Sequence, residues 1–65
     1  MSAIWRPQRV EVLMQWCVDI LQDGVAVTDW ERHFVSDMER KLLDGAGLSR
    51  AQHEKLEAIY AERTK

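Results

Sequence analysis

Four polar side chains lie close together in the sequence between residues 50 and 55, and they are of types that can contact DNA bases. Arg50 can donate two hydrogen bonds to guanine, and Gln52 can bond to the edge of adenine. His53 and Lys55 belong to the same stretch. A helix, a glycine-containing turn such as DGAG and a second helix form the outline of a helix-turn-helix motif. The sequence therefore raises the hypothesis of a small DNA-binding regulator that uses helix 49–63.

The charges around this segment count against DNA binding. The chain has nine basic and eleven acidic side chains, which gives a net charge of -2. Contacts between cationic side chains and phosphates normally supply much of the affinity for DNA. Glu54, Glu57 and Glu62 place negative charge along the same segment. We therefore expect nucleic acid to be the less favoured partner.

The remaining polar residues do not predict catalysis or metal binding. His53 and Glu57 are spaced by one helical turn, but no further metal ligand lies near them in the sequence. Cys17 lies among apolar residues, where burial raises the pKa of a thiol and makes it a poor nucleophile. The sequence contains neither a glycine-rich phosphate loop nor a nucleophile elbow. We expect a protein that is not an enzyme and that binds no metal or cofactor.

Length and composition limit the architecture to one small domain. A chain of 65 residues buries only a small core, and its 46% of hydrophobic and 31% of charged residues are typical of a folded soluble protein. The single cysteine excludes an internal disulfide. No secretory signal and no apolar run of about 20 residues is present. We expect one helical domain over residues 1–65, located in the cytoplasm and without a membrane contact.

Apolar side chains at three- and four-residue spacing predict an all-α protein. Pro7 suits the first position of a helix, where a missing N–H has no cost. Gly24 and Gly45 follow the first and second apolar patterns, and glycine is the residue that most often ends a helix. The predicted helices span about 7–23, 29–43 and 49–63. Their short connections favour a compact three-helix bundle.

Two capping boxes mark the starts of the second and third helices. In such a box, the cap side chain accepts a hydrogen bond from the backbone N–H three residues later, and the side chain there accepts one from the cap N–H. Thr28 with Glu31, and Ser49 with Gln52, have this spacing. The predicted core consists of the apolar residues that recur along the three helices: Leu13, Cys17, Leu21, Phe34, Met38, Leu42, Leu56 and Ile59.

The first predicted helix contains more apolar side chains than one buried stripe requires. Val12 and Trp16 are rotated away from the inward row that begins at Val10, and Trp5 precedes the helix. One interpretation is a wide apolar arc that contacts both other helices. The other is a surface for a partner, because tryptophan and arginine are frequent interface anchors. That second interpretation predicts a partner-binding surface formed by Trp5, Arg9, Val12 and Trp16.

The segment of residues 28–60 resembles a helical segment of small accessory proteins that phages and prophages encode. The shared pattern is Trp-Glu, a Phe three residues after the Glu, a short polar turn, and then Leu-Ser, Gln, Leu and Ile-Tyr. Its positions in this chain are Trp30, Glu31, Phe34, Leu48, Ser49, Gln52, Leu56, Ile59 and Tyr60. The resemblance implies a helical fold and a phage origin. It also implies a protein that docks on a host or phage enzyme complex and modulates or inhibits it.

We therefore expect a small acidic, non-enzymatic module that binds another protein, in the host cytoplasm if a phage encodes it. The first alternative is the DNA-binding regulator that uses Arg50, Gln52, His53 and Lys55. The second is a homo-oligomeric structural protein, because a chain with a small core gains stability when it buries apolar surface against another copy.

Overall fold

Three helices make up most of the part of the chain that the computed structural model describes, residues 7–64. Helix α1 spans Val10–Asp23, α2 spans Asp29–Leu43 and α3 spans Arg50–Arg63. Residues 7–64 contain no strand, and each helix packs against the other two. The predicted all-α three-helix bundle is confirmed.

Helix α1 begins later than the sequence predicted, and Pro7 is not its first residue. Arg9 precedes the helix with extended backbone angles (φ -65°, ψ 151°), and its side chain makes no capping hydrogen bond. The backbone N–H of Gln8 donates to Nε2 of His53 on α3, at 3.1 Å. Because this bond holds the chain against α3, residues 7–9 continue along the bundle instead of adding a helical turn.

Both predicted capping boxes are confirmed. The N–H of Glu31 donates to Thr28 Oγ1 at 3.1 Å, and the N–H of Thr28 donates to Glu31 Oε1 at 3.0 Å. Ser49 Oγ accepts the N–H of Gln52 at 3.1 Å, and Gln52 Oε1 accepts the N–H of Ser49 at 3.0 Å. Each box satisfies two groups that the helix itself leaves without a partner, so the starts of α2 and α3 are fixed locally.

Ser49→Ala should lower the free energy of unfolding by about 0.5–2 kcal/mol, because the N–H of Gln52 loses its acceptor. Ser36→Ala is the matched control, since Ser36 is an exposed residue in the interior of α2. Urea denaturation followed by circular dichroism measures both variants. Equal unfolding midpoints for the two would show that the Ser49 cap does not stabilise α3.

Gly45 ends α2, as its position in the sequence predicted. Its φ of 82° is in the left-handed region, which glycine adopts without steric cost. The N–H of Gly45 donates to the carbonyl of Leu42 at 3.1 Å, and the N–H of Ala46 donates to the carbonyl of Lys41 at 2.9 Å. This pair of bonds is a Schellman motif, which satisfies carbonyl groups at the end of the helix.

The core contains six of the eight predicted residues and differs at the others. Leu21 and Phe34 are only partly buried, and Ile20 and Val35 occupy the centre in their place. The buried apolar residues are Leu13, Cys17, Ile20, Val35, Met38, Leu42, Leu56 and Ile59. The prediction for α2 followed a row with four-residue spacing, and each such step turns the side chain about 40° past a full turn. Residues along this row therefore point progressively further from the centre of the buried face of α2, and Phe34 lies at the edge of that face.

Candidate functional site

The ring of Trp16 packs between α1 and α3. It stacks on Tyr60, with 5.1 Å between the ring centroids and 20° between the planes. It also meets the edge of His53 at 5.9 Å and 67°. Trp16 is partly buried and packs against the core. The structure therefore places this tryptophan mainly in an internal contact between two helices.

The other residues of the predicted partner surface have different surroundings. Arg9 is exposed, and Val12 is partly buried. Trp5 lies outside residues 7–64. The binding role of Trp5, Arg9, Val12 and Trp16 stays a prediction, but the stacking of Trp16 leaves less of its ring available to a partner than the sequence suggested.

The four residues predicted to contact DNA bases do not lie on one exposed surface. His53 is buried, with only 4% of its surface exposed, and its Nε2 accepts the bond from the N-terminal segment. Gln52 uses its side chain in the capping box of α3. Arg50 is exposed and its Nε donates to Glu54 Oε1 at 3.0 Å, within an ion pair on the helix surface. Lys55 is exposed and extends toward α2.

An exposed aromatic pair lies beside Lys55. Trp30 stacks on Phe34, with 5.4 Å between the centroids and 10° between the planes. The Nζ of Lys55 lies 5.0 Å from the centroid of the Trp30 ring, within the range of a cation–π interaction. Trp30 lies four residues before Phe34 in the sequence and remains 58% exposed. The same drift that moves Phe34 to the edge of the core moves Trp30 to the surface.

A second group of exposed and partly buried apolar residues belongs to the α1–α2 hairpin, and we call it the α1–α2 edge. Val10 is 53% exposed and Leu43 is 69% exposed. The remaining members are Met14, Val18 and Leu21, which are partly buried. Consecutive helices joined by a short connection run antiparallel, so Val10 and Leu43 lie at the same end of the hairpin. The sequence assigned Val10 to the inward row, and the structure corrects this.

An ion pair joins the start of α2 to the end of α3. Arg63 donates from Nε to Glu31 Oε1 at 3.0 Å and from Nη2 to Oε2 at 3.2 Å. The carbonyl of Arg63 also accepts the N–H of Val25 at 2.8 Å. The bond from the backbone of Thr28, followed by those from Arg63, holds the pKa of the Glu31 carboxyl below its ordinary value. This two-bond contact fixes the register of the two helices.

The remaining groups that bear on chemistry in residues 7–64 are the Cys17 thiol and the candidate metal ligands. Burial, followed by the charge of Glu39, raises the pKa of the Cys17 thiol to about 11. Histidine, cysteine and carboxylate side chains in this range form no group of three that could hold a metal ion. None of the three helices of residues 7–64 is long and apolar enough to cross a membrane.

Comparisons with protein families, with characterised proteins and with solved structures gave no match to this chain. Two surfaces of residues 7–64 are candidate interaction sites. One is the α1–α2 edge, with Val10 and Leu43 at its exposed end. The other is the side of the bundle where Lys55 lies over Trp30.

Proposed function

We propose that this protein is a small, non-enzymatic module that binds another protein through the α1–α2 edge. The observation that supports this most directly is the joint exposure of Val10 and Leu43 at one end of the hairpin. Three partly buried apolar side chains extend the same surface along α1. A continuous apolar patch on a small soluble protein commonly marks an interaction site.

The shape of the edge favours a helix as the bound element of the partner. Its α1 members stand at positions 10, 14, 18 and 21, which is the spacing of one helical stripe. A stripe of this length extends for roughly 16 Å along the helix. An amphipathic helix of a partner can place its own apolar side chains along such a stripe and between α1 and α2. The partner that fits is a protein with an exposed amphipathic helix.

The biological setting of this binding is also part of the proposal. The resemblance of residues 28–60 to phage and prophage accessory proteins suggests that the partner belongs to a host or phage enzyme complex. A module without a reactive centre can modulate or inhibit such a complex by covering one of its surfaces. We place this event in the cytoplasm of the host.

Leu43→Asp should weaken binding to the partner at least tenfold, because a carboxylate would then be buried against the apolar side of the partner helix. Val10→Asp should have the same effect, since Val10 lies at the same end of the edge. The partner is first captured from the native host with the unchanged protein, and the affinity of each variant for it is then measured by calorimetry. Circular dichroism checks that the helices remain intact, which is expected because both sites are exposed.

Val25→Asp is the matched control. Val25 is 67% exposed, and it lies in the α1–α2 connection at the opposite end of the hairpin. This variant introduces the same charge into an exposed valine and should bind the partner with unchanged affinity. An equal loss for Val25→Asp and Leu43→Asp, or no loss for the latter, would contradict the assignment of the edge.

A further inference from the structure

Helix α2 places a carboxylate, that of Glu39, beside the apolar residues of the α1–α2 edge. Glu39 is four residues before Leu43, so the two side chains share one side of α2. Trp30 is nine residues before Glu39, about two and a half helical turns, and Lys55 of α3 lies over its ring. The side of Glu39 is therefore turned away from α3 and toward α1. The charge of Glu39 also raises the pKa of the Cys17 thiol, which places the carboxylate near α1.

The residue of α1 that lies level with Glu39 is Met14. Val10 and Leu43 lie at the same end of the antiparallel hairpin, and a step of four residues along each helix reaches Met14 and Glu39. Met14 is two residues before Trp16, and this spacing turns it about 160° away from the side of α1 that contacts α3. Both Met14 and Glu39 are partly buried. The carboxylate therefore lies within the edge, one helical turn from its exposed end.

The Glu39 carboxylate has no cation paired with it among residues 7–64. The ion pairs in this part of the chain join Arg50 to Glu54 and Arg63 to Glu31, both away from the edge. Because Glu39 is only partly buried, water can solvate its charge in the free protein. A partner helix with apolar side chains alone would displace this water and bury an unpaired charge, which is strongly unfavourable. A cation on the partner removes this penalty by forming a charge-assisted hydrogen bond.

The other charged residues near the edge limit how many cations the partner can carry. Arg32 is seven residues before Glu39, so it lies on the same side of α2, two turns further from the exposed end. A second cation of the partner at that level would meet a like charge. Glu11 and Arg40 lie near the exposed end, are exposed and have opposite signs, and Asp29 is the first residue of α2, beyond the last apolar residue of the edge. The surroundings therefore favour a single cation, opposite Glu39.

We propose that the partner helix carries one lysine or arginine within its apolar stripe and that this cation pairs with Glu39. The inference rests on the proposed function, because it concerns the ligand of the α1–α2 edge. An apolar surface alone attracts many amphipathic helices. A helix without a cation at this position leaves the Glu39 charge buried and unpaired, so the carboxylate selects against it. The apolar residues of the edge supply contact area, and Glu39 supplies specificity and fixes the register of the bound helix.

Three synthetic amphipathic helical peptides test this pairing. They are identical except at one position inside the apolar stripe, which holds arginine, leucine or glutamate. The arginine peptide should bind the unchanged protein about tenfold or more tightly than the leucine peptide, and the glutamate peptide should bind most weakly. Calorimetry measures the three affinities. Leu43→Asp should weaken the binding of the arginine peptide, which shows that the peptide occupies the edge.

Variants of Glu39 show whether the preference for arginine comes from this carboxylate. Glu39→Gln keeps the size of the side chain and removes its charge, so the preference should fall to about twofold or less. Glu39→Lys should reverse the order, with the glutamate peptide binding more tightly than the arginine peptide. Asp37→Asn is the matched control, because it removes the same charge from an exposed residue on the other side of α2 and should keep the tenfold preference. Circular dichroism checks that each variant is folded.

The outcomes separate this inference from the proposed function. Equal binding of the three peptides, or a preference for arginine that persists in Glu39→Gln, overturns the pairing with Glu39. The proposed function still stands in that case, as long as Leu43→Asp weakens the binding. If no peptide binds at millimolar concentration, or if Leu43→Asp has no effect, the edge is not a site for a helix and both proposals fail.

Discussion

Replacing Trp16 with alanine should lower the free energy of unfolding by about 3 kcal/mol, which is enough to unfold a large fraction of so small a protein. The indole ring stacks on Tyr60 and meets the edge of His53, so its removal leaves a void between α1 and α3. His53 then also loses part of the cover that separates its ring from water. Thermal and urea denaturation followed by circular dichroism measure the loss.

Trp30→Ala is the matched control for this experiment. The same side chain is removed there from a site that is 58% exposed, and we expect a loss of about 1 kcal/mol or less. If Trp16→Ala were as stable as Trp30→Ala but no longer bound the partner, the surface of Arg9, Val12 and Trp16 would be the docking site instead of the α1–α2 edge.

Gly24→Ala should lower the free energy of unfolding by a similar amount, about 3 kcal/mol, which is the upper end of the usual cost of overpacking. A Cβ atom at Gly24 would collide with the carbonyl oxygen of Ile20 and lie only 2.5 Å from Cγ2 of Val27. The backbone atom cannot move away without disturbing the last turn of α1, where the N–H of Gly24 bonds to the same carbonyl. The urea midpoint and the helical signal report the effect.

Gly47→Ala provides the comparison for Gly24→Ala. A Cβ atom at Gly47 meets no heavy atom within 4 Å, so we expect the stability to be unchanged or slightly raised through the smaller entropy of the unfolded chain. If the two variants had equal stability, the close approach of Val27 to the end of α1 would not be a feature of the protein in solution.

Local signals in the sequence were sufficient to predict the helices. They were not sufficient to predict the contacts between the helices. Thr28 and Ser49 fix the starts of α2 and α3 through bonds that span only three residues, so the prediction and the structure agree. The start of α1 depends on the bond from Gln8 to His53, which are 45 positions apart. No pattern near Pro7 encodes that bond. A polar residue such as His53 also gives no local indication that it will be buried.

The candidate sites also depend on contacts between helices, which local sequence signals do not predict. The sequence identified the excess of apolar side chains on α1, and that excess is present. Which side of α1 remains open depends on the position of α3, whose Tyr60 covers Trp16 and leaves Val10 uncovered. Likewise, Phe34 and Val35 are adjacent, and the structure buries Val35 where the sequence predicted Phe34 in the core. A single chain read along its length does not specify which of the two points outward, because that depends on how the helices are rotated against each other.

The position of Cys17 gives the protein an internal reporter of its own opening motions. Its side chain is fully buried, and it is the only thiol in the chain. A thiol-specific reagent can react only when α1 moves away from the other helices, because the closed form offers neither access nor thiolate. In the limit of rapid reclosing, the labelling rate is the intrinsic rate multiplied by the fraction of open molecules. Labelling in plain buffer, with no denaturant, then measures how often the core opens, and slower labelling in the presence of a partner measures how strongly that partner holds the helices together.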